Sequence, residues 1–332
     1  MNSTEAADPM PTSIRPMAAT PSALPAQESG WGFEIKWDGV RVVTHATPGR
    51  LRLFGRDGQE FTGRYPELDA LGEQIGTRRV ILDGEIVAFD DEGQPSFQRL
   101  QPRIHAASEA DARHGSRTAP VIYVIFDVLY AGGRSLLRHR YEDRRHQLTD
   151  LGLAGPHWQV PTVDIGEGSP LLEATRAQGL EGVIAKRLDS PYRPGRRSRD
   201  WLKIKNVHRQ EVVIGGWTPG QGSRADDFGA LLVGYRDSGG LRYAGKVGTG
   251  FDLATRRMLR SELDALHTRD SPFTGRQPQR DAVFAEPRLV CEVEFAQWTS
   301  DGTLRHPTYQ GLRRDKDPQE VVREEPLPPP DA

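Results

Sequence analysis

With 332 residues, of which 36% are hydrophobic and 27% charged, the chain is long enough for two ordinary domains with separate cores. No apolar run approaches the roughly 20 residues of a membrane span, and no basic segment leading into an apolar one marks a secretory signal. The single cysteine, Cys291, excludes an intrachain disulfide framework and a cysteine-based zinc site, so a cytoplasmic location is expected, nucleoid-associated if the source is bacterial. A formal net charge of −2 speaks only weakly against nucleic acid, because a basic stripe can hide in a neutral total.

Residues 1–28 are rich in Pro, Ala, Ser and Thr without periodicity and read as loosely ordered, with 1–12 assigned as a disordered tail. A first domain is assigned to 13–208. From Trp31 it reads as strands, FEIKWDGVRVVTHA and RLRLFGR, with a turn at Pro48-Gly49. The spacing of Leu68, Leu71 and Ile75 predicts a helix over 65–76. Strands follow at 79–89 and 120–129, then a helix over 140–151. A further helix is predicted to start at a Ser169-Pro170 cap and to stop at Gly179. Strands return at 181–187 and 201–205. The second domain, 209–322, has short strands near 211–217, 229–236 and 241–247 and an amphipathic helix over 252–267 capped by Asp252. A strong strand at 289–297 follows. That order suits an OB-fold barrel, with a five-stranded SH3-like barrel as the plainer alternative. The acidic, proline-rich end, 323–332, reads as a second tail.

Only six of the 44 basic residues are lysines: Lys36, Lys186, Lys203, Lys205, Lys246 and Lys316. Arginine supplies positive charge almost everywhere, so a surviving lysine suggests a task that needs a deprotonated amine. Lys36 stands in Glu34-Ile35-Lys36-Trp37-Asp38-Gly39-Val40-Arg41, which by itself reads equally as a surface turn. Downstream lie Phe54-Gly55-Arg56-Asp57-Gly58, Asp83-Gly84-Glu85, Phe126-Asp127, Glu181-Gly182-Val183-Ile184-Ala185-Lys186 and Trp201-Leu202-Lys203-Ile204-Lys205, mostly on predicted strands.

This ordered set resembles the motifs of the covalent nucleotidyltransferases, which include ATP-dependent DNA ligases, RNA ligases and mRNA capping enzymes. It is most similar to the ligase module of the bacterial end-joining ligases (ligase D), from about Pro16 to Asp317. The resemblance implies an α+β fold, an adenylation domain of antiparallel sheets with helices followed by a C-terminal OB-fold barrel. It also implies an ATP-dependent DNA ligase that carries AMP on Lys36 and seals nicks in double-stranded DNA, in repair or end joining.

Attack on the α-phosphate requires a neutral amine. Nearby cations lower a lysine pKa, and Arg41, Lys203 and Lys205 are the candidates here. Lys203 and Lys205 are two apart on a strand and so share a face; the resemblance sets them at the α-phosphate. It also gives Glu181 and Glu85 a divalent metal, Mg2+ or Mn2+, with Glu85 meeting the ribose side as well. Phe126 would stack on adenine, Glu34, Arg41 and Arg56 would contact base and ribose, and Ile35 and Lys186 would complete the ATP site. Asp57 stands where the family usually has Asn, which puts one local hydrogen bond in question. Arg193, Arg196 and Arg197 form a basic segment suited to a phosphate backbone, though a solvated loop would look the same. Lys246 is a further candidate DNA contact. Arg313, Asp315 and Lys316 match the last motif, which closes over ATP and orients pyrophosphate. An RNA ligase or GTP-using capping enzyme is the rival within catalysis, and a nucleic-acid-binding module with a dead nucleotide site is the rival outside it. With about 28 residues before the motif region, no separate polymerase, nuclease or large clamping domain is expected there. That small footprint suggests a partner for gripping DNA, which the resemblance implies to be Ku or another repair protein; a monomer with no membrane association is expected.

Overall fold

The computed structural model describes residues 8–206, 208–220, 227–279, 281–299 and 301–324, His208 and Gln297 by backbone alone. Two compact units are present, one ending at Asn206 and the other at Glu324.

The first unit is built on two sheets. One runs in the order Arg50–Gly55, Val40–Thr47, Val80–Ala88, Val121–Ala131, Arg134–Ser135, with Trp158–Gln159 added to Val121–Ala131. Its apolar face (Val40, Val42, Leu82, Ile86, Tyr123, Ile125) packs on the helices Asp69–Ile75 and Phe97–Ile104. The other sheet is ordered Ala18–Pro21, Arg197–Lys205, Gly182–Arg187, Trp31–Ile35, Asp164–Ile165. Side chains alternate along these strands, so Phe33, Val183, Ala185, Leu202 and Ile204 form one face, covered by Leu171 and Leu172 of the helix Gly168–Ala177. The opposite face carries Glu34, Lys186, Lys203 and Lys205.

Two expectations need correction. Residues 8–30 are ordered, while 1–7, the greater part of the expected tail 1–12, lie outside the described residues. Asp8 holds the turn after Val121–Ala131 through its backbone N–H to Gly133 and its carboxylate to the Ser135 N–H, and Ala18–Pro21 pairs in parallel with Arg197–Lys205. Ile14 and Met17 are buried, so sparse apolar residues anchor a segment whose composition suggested a tail. The helix near 169 is not capped by Ser169. It begins at Gly168, and Glu28, remote in sequence, accepts the N–H groups of Gly168 (2.7 Å) and Ser169 (3.2 Å).

In the second unit His208–Pro219, Phe228–Asp237 and Gly240–Val247 pair antiparallel in succession. Val283–Phe295 returns to the free side of His208–Pro219 and then pairs with Thr308–Leu312. A bridge between Thr249 and Thr308 links the ends, closing five strands into a barrel. That strand order, with the helix Leu253–Ala265 between the third and fourth strands, is the OB-fold. The helix contributes Leu259 and Leu263 to the core and is capped as expected by Asp252, which accepts the Thr255 N–H at 2.6 Å. No described helix is long and apolar enough to cross a membrane.

Candidate active site

Lys36 lies where the chain passes from one sheet of the first unit to the other, just after Trp31–Ile35 and before Val40–Thr47. Its backbone N–H continues the ladder to the Gly182 carbonyl at 2.9 Å. Gly39 permits the crossing: a Cβ there would meet the Ile86 carbonyl oxygen at 2.2 Å and the Glu85 Cγ at 3.0 Å. The turn is thereby wedged against the strand Val80–Ala88, and Glu85 is brought to within a few residues of Lys36.

Register then defines the floor of the site. Glu34, Ile184 and Lys203 form one row across three strands, and Gly182 pairs with Lys205 in the next, where the Lys36 N–H reaches Gly182. Strand spacing puts Lys36 and Lys205 about 10 Å apart with a glycine between them. Gly182 has a φ of +144°, and a Cβ would strike the Ile204 carbonyl at 2.0 Å, so the gap between the two lysines is built into the backbone. The Lys36 ammonium is ion-paired with Glu181. By the same alternation Ile35 falls on the helix-covered face, so only its backbone is available to a nucleotide.

At the inner end of this face lies a buried polar cluster. Glu34 accepts from Lys186 Nζ at 2.7 Å and from the Tyr141 hydroxyl. Lys186 is 1% exposed, with Nζ 4.3 Å from the Phe126 ring centroid, 4.5 Å from Trp201 and 5.0 Å from Tyr141. Desolvation lowers the Lys186 pKa, opposed by the charges of Glu34 and Asp127. Asp127 is held bidentately by Arg144 at 2.8 and 2.9 Å. Phe126 reaches the cluster through a bulge: Asp83 pairs with Asp127 and Gly84 with Ile125, leaving Phe126 as the extra residue.

Other expected residues fall around this floor. Arg41, expected as a cation near Lys36, has an acid of its own. It is bound bidentately by Asp83 at 2.6 and 2.7 Å, and its guanidinium lies 4.5 Å from the Phe126 centroid. Asp83 also accepts the Tyr192 hydroxyl at 2.6 Å, so this arginine is neutralised rather than free to repel an ammonium. Arg56 follows Gly55, whose partner is Val42, and so lies at the Lys36 end of its sheet. Asp57 accepts the Gln59 N–H at 2.9 Å, which keeps the turn with an acid where asparagine is usual. Arg193, Arg196 and Arg197 are all exposed; Arg193 pairs with Asp200 at 3.0 Å and Arg197 donates to the Ala19 carbonyl at 2.7 Å. Among the described residues, no group of three or more His, Cys, Asp or Glu side chains is assembled as a metal site.

In the second unit Arg313 is 8% exposed and is bound bidentately by Asp315 at 2.9 Å and by Glu292 at 3.3 Å. The guanidinium expected to meet pyrophosphate is thus bound by carboxylates of its own unit. Burial raises the carboxyl pKa of Asp315, but the charge of Arg313 outweighs that effect and holds it low. Lys316, only partly buried, pairs with Glu211 at 2.7 Å. Lys246 is exposed on Gly240–Val247. The residues that sequence reasoning missed are Tyr141, Asp83 and Tyr192. Asp83 stood in a quoted motif but its tie to Arg41 depends on strand pairing, and the two tyrosines lay in a helix and a loop with no motif spacing to mark them.

A lysine at the crossover of two sheets, facing further lysines across a glycine and followed by an OB-fold barrel, is the architecture of a covalent nucleotidyltransferase. Residues 14–205 match the ATP dependent DNA ligase domain, and residues 224–316 match the ATP dependent DNA ligase C terminal region. The chain belongs to the ATP-dependent DNA ligases. It is 44% identical over 315 residues to the multifunctional non-homologous end joining DNA repair protein LigD of Mycobacterium tuberculosis, covering 94% of this chain and 40% of that protein. It is 33% identical over 302 residues to a DNA ligase of Natronomonas pharaonis, covering 88% of this chain and 53% of the other. A solved structure of mycobacterial DNA ligase D complexed with ATP and MES aligns with a TM-score of 0.69 at 41% identity, covering 94% of this chain and 98% of that one. The chain thus spans about two fifths of the length of the LigD proteins it matches.

Proposed function

We propose that this ATP-dependent DNA ligase works through Lys36. The amine, once it has lost its proton, attacks the α-phosphate of ATP. A P–N bond forms, the α–β anhydride breaks, and pyrophosphate leaves. AMP then passes to the 5′-phosphate of a nick, and the 3′-hydroxyl displaces it to seal the strand.

The observation that carries this reading is the row across Gly182, with Lys36 on one side and Lys205 on the other. A phosphoryl group set in that gap meets the nucleophile and the cations that offset its developing charge, Lys205 and neighbouring Lys203. Glu181 fixes the Lys36 side chain. The donors also fit a magnesium-type ion, which needs one or two carboxylates and takes its remaining ligands from phosphate and water. Glu181 and Glu85 would hold it, and it would supply charge neutralisation at the phosphates. Phe126 and Glu34 receive the base, Arg56 the ribose, and Lys316 serves the first step. In this reading the physiological task is joining of broken DNA ends with a Ku-type partner, supported by likeness to proteins named for that pathway.

Labelling with α-phosphate-tagged ATP tests the proposal. Wild type should form a covalent adduct that chelator prevents, and Lys36→Arg, which keeps charge and length, should form none. A normal adduct yield from Lys36→Arg would place the nucleophile elsewhere.

A further inference from the structure

We infer that Lys186 and Tyr141 are positioning residues that set purine selectivity by holding Glu34 as an acceptor for the exocyclic amino group of adenine. The inference rests on adenylation at Lys36 as proposed above.

If the α-phosphate sits at Lys36, the base must lie elsewhere along the same face. The inner end offers a cluster of rings, with Phe126, Trp201 and Tyr141 gathered around Lys186, the partner of Glu34. Glu34 is nearly buried, and each carboxylate oxygen already has a partner, Oε2 with the Lys186 ammonium and Oε1 with the Tyr141 hydroxyl. Two fixed donors leave this side chain no rotational freedom, and its remaining lone pairs can only accept. A carboxylate so held welcomes the N–H of adenine. It repels the oxygen that hypoxanthine and guanine carry at the same position, because two acceptors would then face each other in a dry site.

Lys186 suits this task better than it suits direct contact with a nucleotide. It is sealed beneath three rings, and its ammonium is the counter-charge that makes a buried carboxylate tolerable. Tyr141 lies on the helix Tyr141–Asp150, whose Arg144 and Arg145 tie it to Asp127 and to the Phe126 carbonyl. The helix, the bulge that presents Phe126 and the Glu34 carboxylate thus form one connected support.

The test compares Lys36 adenylation with ATP, inosine triphosphate and purine riboside triphosphate in wild type, Tyr141→Phe and Lys186→Met. Tyr141→Phe removes one hydroxyl and nothing else, so it carries the test should Lys186→Met fail to fold. We expect the KM for ATP to rise about ten- to a hundredfold in both variants, as loss of a buried charge-assisted hydrogen bond entails, with kcat at saturation changing much less. The preference for ATP over inosine triphosphate should fall by a similar factor, while the KM for purine riboside triphosphate, which lacks any group at that position, should change little. Equal losses on all three nucleotides, or an unchanged ATP preference in Tyr141→Phe, would overturn the inference. Absence of any adduct in wild type would instead remove the adenylation reading beneath it.

Discussion

Arg313 and Lys316 stand three residues apart in one motif, yet their surroundings give them different tasks. Arg313 neutralises two buried carboxylates, Asp315 and Glu292. Removing it takes away the cation that both share in a low-dielectric interior, and Arg313→Ala is expected to cost the second unit about 3–5 kcal/mol. Lys316 is partly exposed and pairs with a partly exposed Glu211, so Lys316→Ala should cost about 1 kcal/mol or less. A fall in activity in Arg313→Ala therefore mixes folding with chemistry, and Lys316→Ala is the cleaner probe. It should lose self-adenylation from ATP, keep its urea midpoint, and still seal a nick that already carries 5′-AMP. Normal adenylation with failure on the pre-adenylated nick would assign Lys316 to DNA instead.

At the scale of elements, the segment between Gly182–Arg187 and Arg197–Lys205 is where charge count and available charge part company. All three arginines are exposed, but Arg193 is paired with Asp200 and Arg197 with a backbone carbonyl, whereas the Arg196 side chain has no such tie among the described residues. Arg196→Ala should flatten the salt dependence of nicked-DNA binding by about 0.9 in log–log slope while leaving adenylation intact. An unchanged slope would make this loop merely solvated. The sequence displays the residue types here but not their partners, and the same limit recurs elsewhere. Alternation along Trp31–Ile35 and Arg197–Lys205 was readable, and with it the shared face of Lys203 and Lys205, because a two-residue period is local. The bulge at Phe126 was not, since it depends on how two strands pair. Nor was the cap donated by Glu28 to a helix some 140 residues away, nor the anchoring of Ala18–Pro21, where long-range pairing overrides a composition typical of tails. Arg41 was read as one of the cations near Lys36, and its pairing with Asp83 was not legible because that acid lies two strands' worth of chain beyond it.

Across the whole molecule, each unit carries its own core. One is centred on Val42, Leu82 and Tyr123 and the other on Val212, Leu231 and Val293, each backed by its own sheets and helices. The chain passes from the first unit to the second after Asn206. Cores of this kind unfold as separate cooperative units unless an interface binds them tightly. Thermal unfolding is therefore expected to show two transitions, and Arg313→Ala, which weakens only the second unit, assigns them by lowering one alone. ATP should act on the other. In Lys36→Arg, where binding cannot proceed to a covalent adduct, a hundredfold excess of ATP over its Kd should stabilise the first unit by about 2.7 kcal/mol and leave the Arg313-sensitive transition where it is. If ATP and Arg313→Ala instead move a single shared transition, the two cores are energetically one body. The loss of adenylation in second-unit variants would then be explained by stability rather than by a direct part in the first step.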